Sequence, residues 1–281
     1  MSGDSLTVAS VEKAFRVLEA FGHSTEELGL TEIAALSGLD KSAAQRFAHS
    51  LWQAGYLEKN ERTRRFKLGK RVLTLGYFYL RSNPLIEAAT PALVELRRAC
   101  DEQVNLSLHD DLTLIYAIRQ QSKREYFYGT LIGRRVPVFS TAGGRAILAA
   151  LPDDQADDII ARSDRSPLTP NTITDPAAIR DKVMEARRQG YGLAVEETVP
   201  GELTLGVAVT DAAGVPVAAI HIAGSVAEWA PQEFAARFAP YAMETAQSLS
   251  RSRVVTSTGG SAASLKEARV ARTRPGSLRS S

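Results

Sequence analysis

Apolar residues recur every three to four positions through "SVEKAFRVLEAFG", where Val11, Ala14, Phe15, Leu18 and Phe21 fall on one side of a helix. Ser10 is placed to cap its start and Gly22 to stop it. After a polar loop, "LTEIAALSGLDKSAAQRFAHSLWQAG" predicts two helices. The first is short, capped by Thr31 and ended by Gly38; the second is longer, capped by Asp40 and ended by Gly55. Ala34 and Gly38, four apart, suit a close crossing of the pair. In the longer helix Ala44, Phe47, Ala48 and Leu51 form the apolar stripe, whereas Ser42, Gln45, Arg46 and His49 share the other side. "YLEKN" and "RRFKLG" then flank the polar turn Glu61-Arg62-Thr63, the pattern of a small hairpin. "KRVLTLGYFYLRS" returns to helical spacing but is apolar on more than one face, which calls for a partner.

From Asn83-Pro84 the pattern becomes an alternation of helices and strands. "PLIEAATPALVELRRACDE" predicts a helix, "VNLSLH" and "LTLIYAIRQ" a hairpin across Asp110-Asp111, and "EYFYGTLI" a further strand. "STAGGRAILAAL" opens a helix, and "DPAAIRDKVMEARRQG" is another, with Asp175 as cap and Pro176 in its first turn. "YGLAVEE", "TLGVAVTD" and "VPVAAIHIAG" predict strands, the last two joined at Ala212-Ala213-Gly214, and "PQEFAARFAPYAMETAQSLSRS" a closing helix despite Pro240. The sum is a mixed α/β domain with a largely antiparallel sheet. Beyond Ser252 the chain is small, polar and basic, the composition of a disordered tail.

Composition divides the chain rather than classifying it. With 281 residues, 44% of them apolar, there is enough for two ordinary cores, and we read 1–83, 84–252 and a 253–281 tail. "MSGDSLTVAS" has no apolar segment of a leader, and no later run approaches the ~20 apolar residues of a membrane span, so a cytoplasmic protein is expected. One cysteine, Cys100, allows no internal disulfide, and four scattered histidines offer no metal-ligand spacing; no cofactor is expected. The net charge of +2 conceals +3 over 1–83, −7 over 84–250 and +6 over 251–281. "KNERTRRFKLGKR" holds seven basic residues against one acid, a density suited to phosphate.

Helix, three-residue turn, helix and basic hairpin is the layout of a winged helix-turn-helix, whose second helix enters the major groove of DNA. Ser42, Gln45, Arg46 and His49 then reach base edges or phosphates, with Thr31 and Lys41 at the helix starts beside them, and Ala43 and Ala44 keep the helix slim or touch thymine methyls. Arg62, Arg64 and Arg65 on the hairpin neutralise phosphates, which sets register rather than sequence choice. The competing reading is an ordinary αα-hairpin with a solvated polar face. In the second domain, Thr141 caps a helix whose Gly143 and Gly144 leave first-turn N–H groups open to a small carboxylate; a plain strand-to-helix turn is the alternative. His221 and Thr204 on neighbouring strands, with the aromatics of "EYFY", complete a lined pocket, although a satisfied core histidine is the commoner case. Catalytic motifs are missing: there is no G-x-S-x-G, no P-loop, and the adjacent Glu196-Glu197 point to opposite faces of a strand.

In "LTEIAALSGLDKSAAQRFAHSLWQAGYLEKN" with "RRFKLGKRVLTLG", in "FSTAGGRAILAALP" and in "RRQGYGLAVEETVPGELTLGVAVTDAAGVPVAAIHIAG", the chain resembles the IclR family of bacterial transcriptional regulators along about 250 residues. The resemblance implies a winged helix-turn-helix and linker helix followed by a GAF-like mixed α/β effector domain. It further implies a palindromic operator in double-stranded DNA, a small organic acid as effector, a homodimer or dimer of dimers, and RNA polymerase as a further partner. Carried over by position, the effector site involves Tyr128, Val136, Ala142, Gly143, Thr204, His221 and Ala223. Thr204 and His221 stand where some members carry small polar residues or cysteine, and the basic tail lies outside the family's core. The expected function is regulation of a catabolic operon, repression ahead of activation; the alternative is an enzyme or metabolite-binding module whose basic segment meets something other than DNA.

Overall fold

The computed structural model describes residues 8–24, 26–122 and 132–252. Contacts divide the chain into two compact units that part between Ser82 and Asn83.

The first unit runs α1 (Ala9–Glu19), a 3-10 turn (Ala20–His23), α2 (Leu30–Ser37), α3 (Lys41–Gln53), β1 (Leu57–Lys59), β2 (Phe66–Leu68) and α4 (Arg71–Ser82). Helix α1 starts one residue before Ser10 with no side-chain cap, and it passes into the 3-10 turn rather than stopping at Gly22. Its buried edge is Val17, continued by Ala20 and Phe21, while Val11 and Phe15 of the expected stripe are half exposed. The cap of α2 also differs from expectation. Gly29 precedes it, and the Glu32 carboxylate accepts the Gly29 N–H at 2.7 Å; Thr31 is exposed and caps nothing. Asp40 caps α3 by accepting the Ala43 N–H at 2.8 Å. Gly38 adopts φ +62° to end α2, and a side chain there would meet only the tip of Arg16, so it serves the turn rather than a helix crossing. Val17, Ala20, Phe21, Leu28, Ile33, Ala44, Ala48, Leu57 and Phe66 make one core. No residue of α4 is buried.

The second unit holds α5 (Pro84–Cys100), β3 (Gln103–Asp110), β4 (Thr113–Gln120), β5 (Arg135–Pro137), α6 (Ala142–Ala150), α7 (Asp153–Arg162), α8 (Pro176–Gln189), β6 (Gly192–Val195), β7 (Glu202–Thr210), β8 (Pro216–Ser225) and α9 (Pro231–Arg251). Its six strands form one sheet in the order β5-β4-β3-β8-β7-β6, and every pairing is antiparallel. Val104, Leu106, Leu205, Val207, Ile220 and Ile222 share one face by alternation, and α9 lies on it, its Phe234 against Gly224. Helix α6 crosses the opposite face, and α7 and α8 complete a core there around Phe139, Ile147, Leu148, Ile159 and Val183. Helix α7 and strand β5 were not predicted by periodicity; the strand expected over "EYFYGTLI" falls mostly outside the described residues. Glu196 lies beyond β6 with φ +56°, so it and Glu197 diverge because of a left-handed kink, not strand alternation.

Candidate functional site

Lys41, Ser42, Gln45, Arg46 and His49 are all exposed on α3, and Ala44, Ala48 and the flanking core hold the other side down. At 100° per residue, Ser42, Gln45, Arg46 and His49 span about 100° of the helix, with Lys41 at its margin. Ala43 and Ala44 are buried at 5% and 0% exposure, so of their two expected roles the slim packing face stands and the thymine-methyl contact falls away. The far end of α3 is tied to the hairpin: His49 meets Trp52 edge-on at 5.5 Å, and the Lys59 ammonium of β1 sits 5.1 Å from the Trp52 ring.

The three hairpin arginines divide into two kinds. Arg62 and Arg64 are exposed and form no ion pair among the described residues. Arg65 instead donates from Nη2 to both Glu32 oxygens, at 3.0 and 2.7 Å, and from Nε to the Glu27 carbonyl at 2.8 Å. The Gly29 N–H first, and then the Arg65 guanidinium, hold the Glu32 carboxyl below the usual range. Asn60 and Thr63 also donate to the Glu27 carboxylate, and Leu28 pairs with Phe66 through two backbone bonds of 2.8 Å. Arg65 therefore fastens the hairpin to the start of α2, a correction to its expected place beside Arg62 and Arg64 on phosphate.

In the second unit, strand register assembles a polar sheet face. Gln103, Ala223 and Thr204 form one row, Arg119, Asn105, His221 and Gly206 the next, and Ser107, Tyr116 and Ala219 a third beyond a bulge in the β3–β4 pairing. His221 is 1% exposed; its Nε2 lies 2.7 Å from Ser107 Oγ and its ring 5.3 Å from that of Tyr116. Its Nδ1 has no hydrogen-bond partner among the described residues. Burial depresses its pKa to about 4, so the ring is neutral near pH 7. A buried imidazole nitrogen with no partner is the kind of group a ligand satisfies.

Ala142 and Gly143 meet this face, but not as an open helix start. Thr141 Oγ1 accepts the Gly144 N–H at 3.1 Å, and the helix start lies directly on the sheet. A Cβ at Gly143 would collide with the His221 ring, one at Gly144 with the Val138 carbonyl, and one at Gly206 with the Gly143 backbone. The glycines are there for close packing. Val136 belongs to the neighbouring core, paired with Leu114, and Tyr128 lies outside the described residues. Gln103, Asn105, Ser107, Tyr116, Arg119 and Glu202 share the polar face without having been singled out, yet the alternation Gln103/Asn105/Ser107 and Glu202/Thr204/Gly206 marks them in the sequence. Behind α6, Arg145 is 1% exposed and donates to both Glu197 oxygens at 2.6 and 2.7 Å and to the Leu193 carbonyl at 2.7 Å.

Residues 10–61 match the IclR helix-turn-helix domain, and residues 77–251 match the bacterial transcriptional regulator IclR C-terminal domain. The chain belongs to the IclR family. IclR proteins are DNA-binding transcriptional regulators, not enzymes, which removes the catalytic alternative. The Pca regulon regulatory protein of Pseudomonas putida is 27% identical over 249 residues, covering 88% of this chain and 85% of that protein. A transcriptional regulator from Rhodococcus sp. RHA1 superposes with a TM-score of 0.72 at 29% identity, covering 87% of this chain and 98% of that one. An IclR homologue from Microbacterium hydrocarbonoxydans, solved with 4-hydroxybenzoate, shares the fold at a TM-score of 0.69 and 22% identity, covering 86% and 100%. No helix among the described residues is long and apolar enough to cross a membrane.

Proposed function

We propose that this IclR protein regulates a catabolic operon by binding a palindromic operator as a homodimer or dimer of dimers, under control of a small organic acid held on the polar face of the sheet. The observation that carries the effector half is His221, fully buried among polar neighbours with one ring nitrogen unsatisfied. Gly143 lies against its ring, Thr204 and Ala223 form the adjoining row of the sheet, and Ala142, Tyr128 and Val136 remain part of the proposed set. The DNA half rests on α3: Ser42, Gln45, Arg46 and His49 face outward for base edges, Lys41 and Thr31 flank them, and Arg62 and Arg64 meet phosphate. Dimerisation is supported by exposed apolar side chains on α1 and α4, Val11, Phe15, Leu73, Tyr77, Phe78 and Tyr79 among them, more than a solitary domain leaves in water. The likeness to the Pca regulon regulatory protein supports the catabolic target. We favour repression, since excluding RNA polymerase requires only operator affinity, whereas activation requires a surface that contacts it.

Gel shift of the purified protein on the DNA upstream of its own gene, repeated at rising salt, tests the DNA half. A sequence-selective shift that Arg46→Ala abolishes supports it; no selective shift at any salt overturns it. Thermal-shift screening with small carboxylates tests the effector half, because a ligand of the folded state raises its stability.

A further inference from the structure

The neutral His221 ring carries a single N–H, and which nitrogen holds it decides what the buried face can bind. Its two nitrogens have unlike surroundings. Nε2 lies 2.7 Å from Ser107 Oγ, whereas Nδ1 has no hydrogen-bond partner among the described residues. Ser107 is itself fully buried, and the other acceptor in its reach, the Ala219 carbonyl, is 3.5 Å away. A hydroxyl bonds best near the first of these distances and only weakly at the second.

Counting donors and acceptors separates the two arrangements. If Nε2 carried the hydrogen and gave it to Ser107, the serine proton would be left with the distant Ala219 carbonyl and the Nδ1 lone pair with nothing, two buried groups unmet. If Ser107 donates to a bare Nε2, both of those atoms are satisfied and the Nδ1 hydrogen alone is unmet. The second arrangement wins, because each buried polar group without a partner opposes folding. Packing holds the ring in place: the Tyr116 ring lies 5.3 Å from it, and the start of α6 is so close that a Cβ at Gly143 would collide with Cε1 and Nε2. The nitrogen left over is therefore a donor that bears no full charge.

Resting on the effector-site reading above, we propose that Ser107 is a positioning residue: by donating to Nε2 it keeps the His221 hydrogen on Nδ1, so that the site receives a ligand's acceptor oxygen, a carboxylate or carbonyl, and rejects a group that offers only N–H donors. Without the serine hydroxyl, Nε2 holds the hydrogen as readily. Nδ1 then becomes an acceptor, and an acid meets it lone pair against lone pair.

The first arm of the test needs no ligand. Ring-nitrogen NMR on full-length protein with isotope-labelled histidine reports which nitrogen is protonated, and the His221→Gln protein identifies the His221 signals among the four histidines. In wild type, Nδ1 is protonated and Nε2 bare. Ser107→Ala gives a mixture or the reverse, and Ser107→Thr, which keeps the hydroxyl, restores the wild-type pattern. A wild-type ring protonated on Nε2 overturns the proposal, and it decides the matter by itself should a variant fail to fold. A Ser107→Ala ring still protonated on Nδ1 alone overturns it as well.

The second arm measures benzoate, 4-hydroxybenzoate and butyrate by thermal shift and calorimetry, with operator gel shift as the control for folding. An acid that binds wild type loses about tenfold or more in affinity to Ser107→Ala, the scale of one hydrogen bond to a charged group, and regains most of it with Ser107→Thr. Undiminished affinity in Ser107→Ala overturns the proposal and leaves the effector reading intact. If none of the three acids binds wild type, the effector reading fails and the proposal with it, even with the hydrogen on Nδ1.

Discussion

Arg145 and Glu197 form the most deeply buried ion pair among the described residues, and cutting one half of it gives a sharp test of how the second unit is held together. Glu197→Ala leaves a guanidinium at 1% exposure with the Leu193 carbonyl as its remaining acceptor, and it strips the Ile173 N–H of a 3.2 Å bond. Removing one partner of a buried pair costs about 3–5 kcal/mol, and the lost backbone acceptor on the order of 1 kcal/mol more. In a domain of this size each kcal/mol is worth about 2–4 °C, so the melting temperature falls by on the order of 10 °C. Only Trp52 and Trp229 contribute indole fluorescence. In a Trp52→Phe background, Trp229 emission therefore follows the second unit by itself. The double variant Arg145→Met, Glu197→Leu removes both charges and recovers most of the loss, since the penalty lies in the unpaired ion. A Glu197→Ala protein melting within 2 °C of its parent, by the same rough scale, would refute the reasoning, as would a double variant no more stable than the single one.

Three further outcomes follow from the site geometry. Arg62→Ala with Arg64→Ala lowers the slope of log K against log salt for operator binding by about 2, one phosphate contact each. Arg65→Ala instead lowers the melting temperature of the first unit, because it unties the hairpin from Glu32 and Glu27; equal slope changes from all three arginines would contradict the division. His221 is neutral when folded and has a depressed pKa of about 4 against an ordinary 6.5, so the unfolded chain binds the extra proton between those values. Its contribution is complete above pH 6.5 and is lost as pH falls toward 4, amounting to about 3 kcal/mol. Urea titrations of wild type and His221→Gln across that window check it, and parallel pH profiles would exclude the buried neutral ring.

What was legible in the sequence was mostly local. Asp40 as a cap, Gly38 as a left-handed stop and the outward set Ser42, Gln45, Arg46 and His49 each depend on residues within one or two turns. Helix α1 shows the limit of periodicity: Val11, Phe15 and Val17 are all apolar, and spacing does not say which of two stripes meets the core. Arg65 looks like Arg62 and Arg64 because its partners lie 33 and 38 residues away. Gly143 and Gly144 invite a reading as an open anion site because the groups that crowd them, His221 and the Val138 carbonyl, come from other elements. Helix α7 reads as a solvated run, "DDQADD", and only Ala156, Ile159 and Ile160 bury it. The polar rows of the sheet were open to reading from alternation, but their burial was not: it depends on α6 lying across them.

The central claim is that one molecule couples an acid on the sheet to a DNA-reading helix, and coupling between two sites is reciprocal. The direct measurement is a pair of titrations at one salt concentration: operator DNA with and without a saturating acid, and the acid with and without saturating operator. The account predicts that both affinities change by the same factor, in the same direction. Operator affinity that stays constant while the acid binds would contradict it.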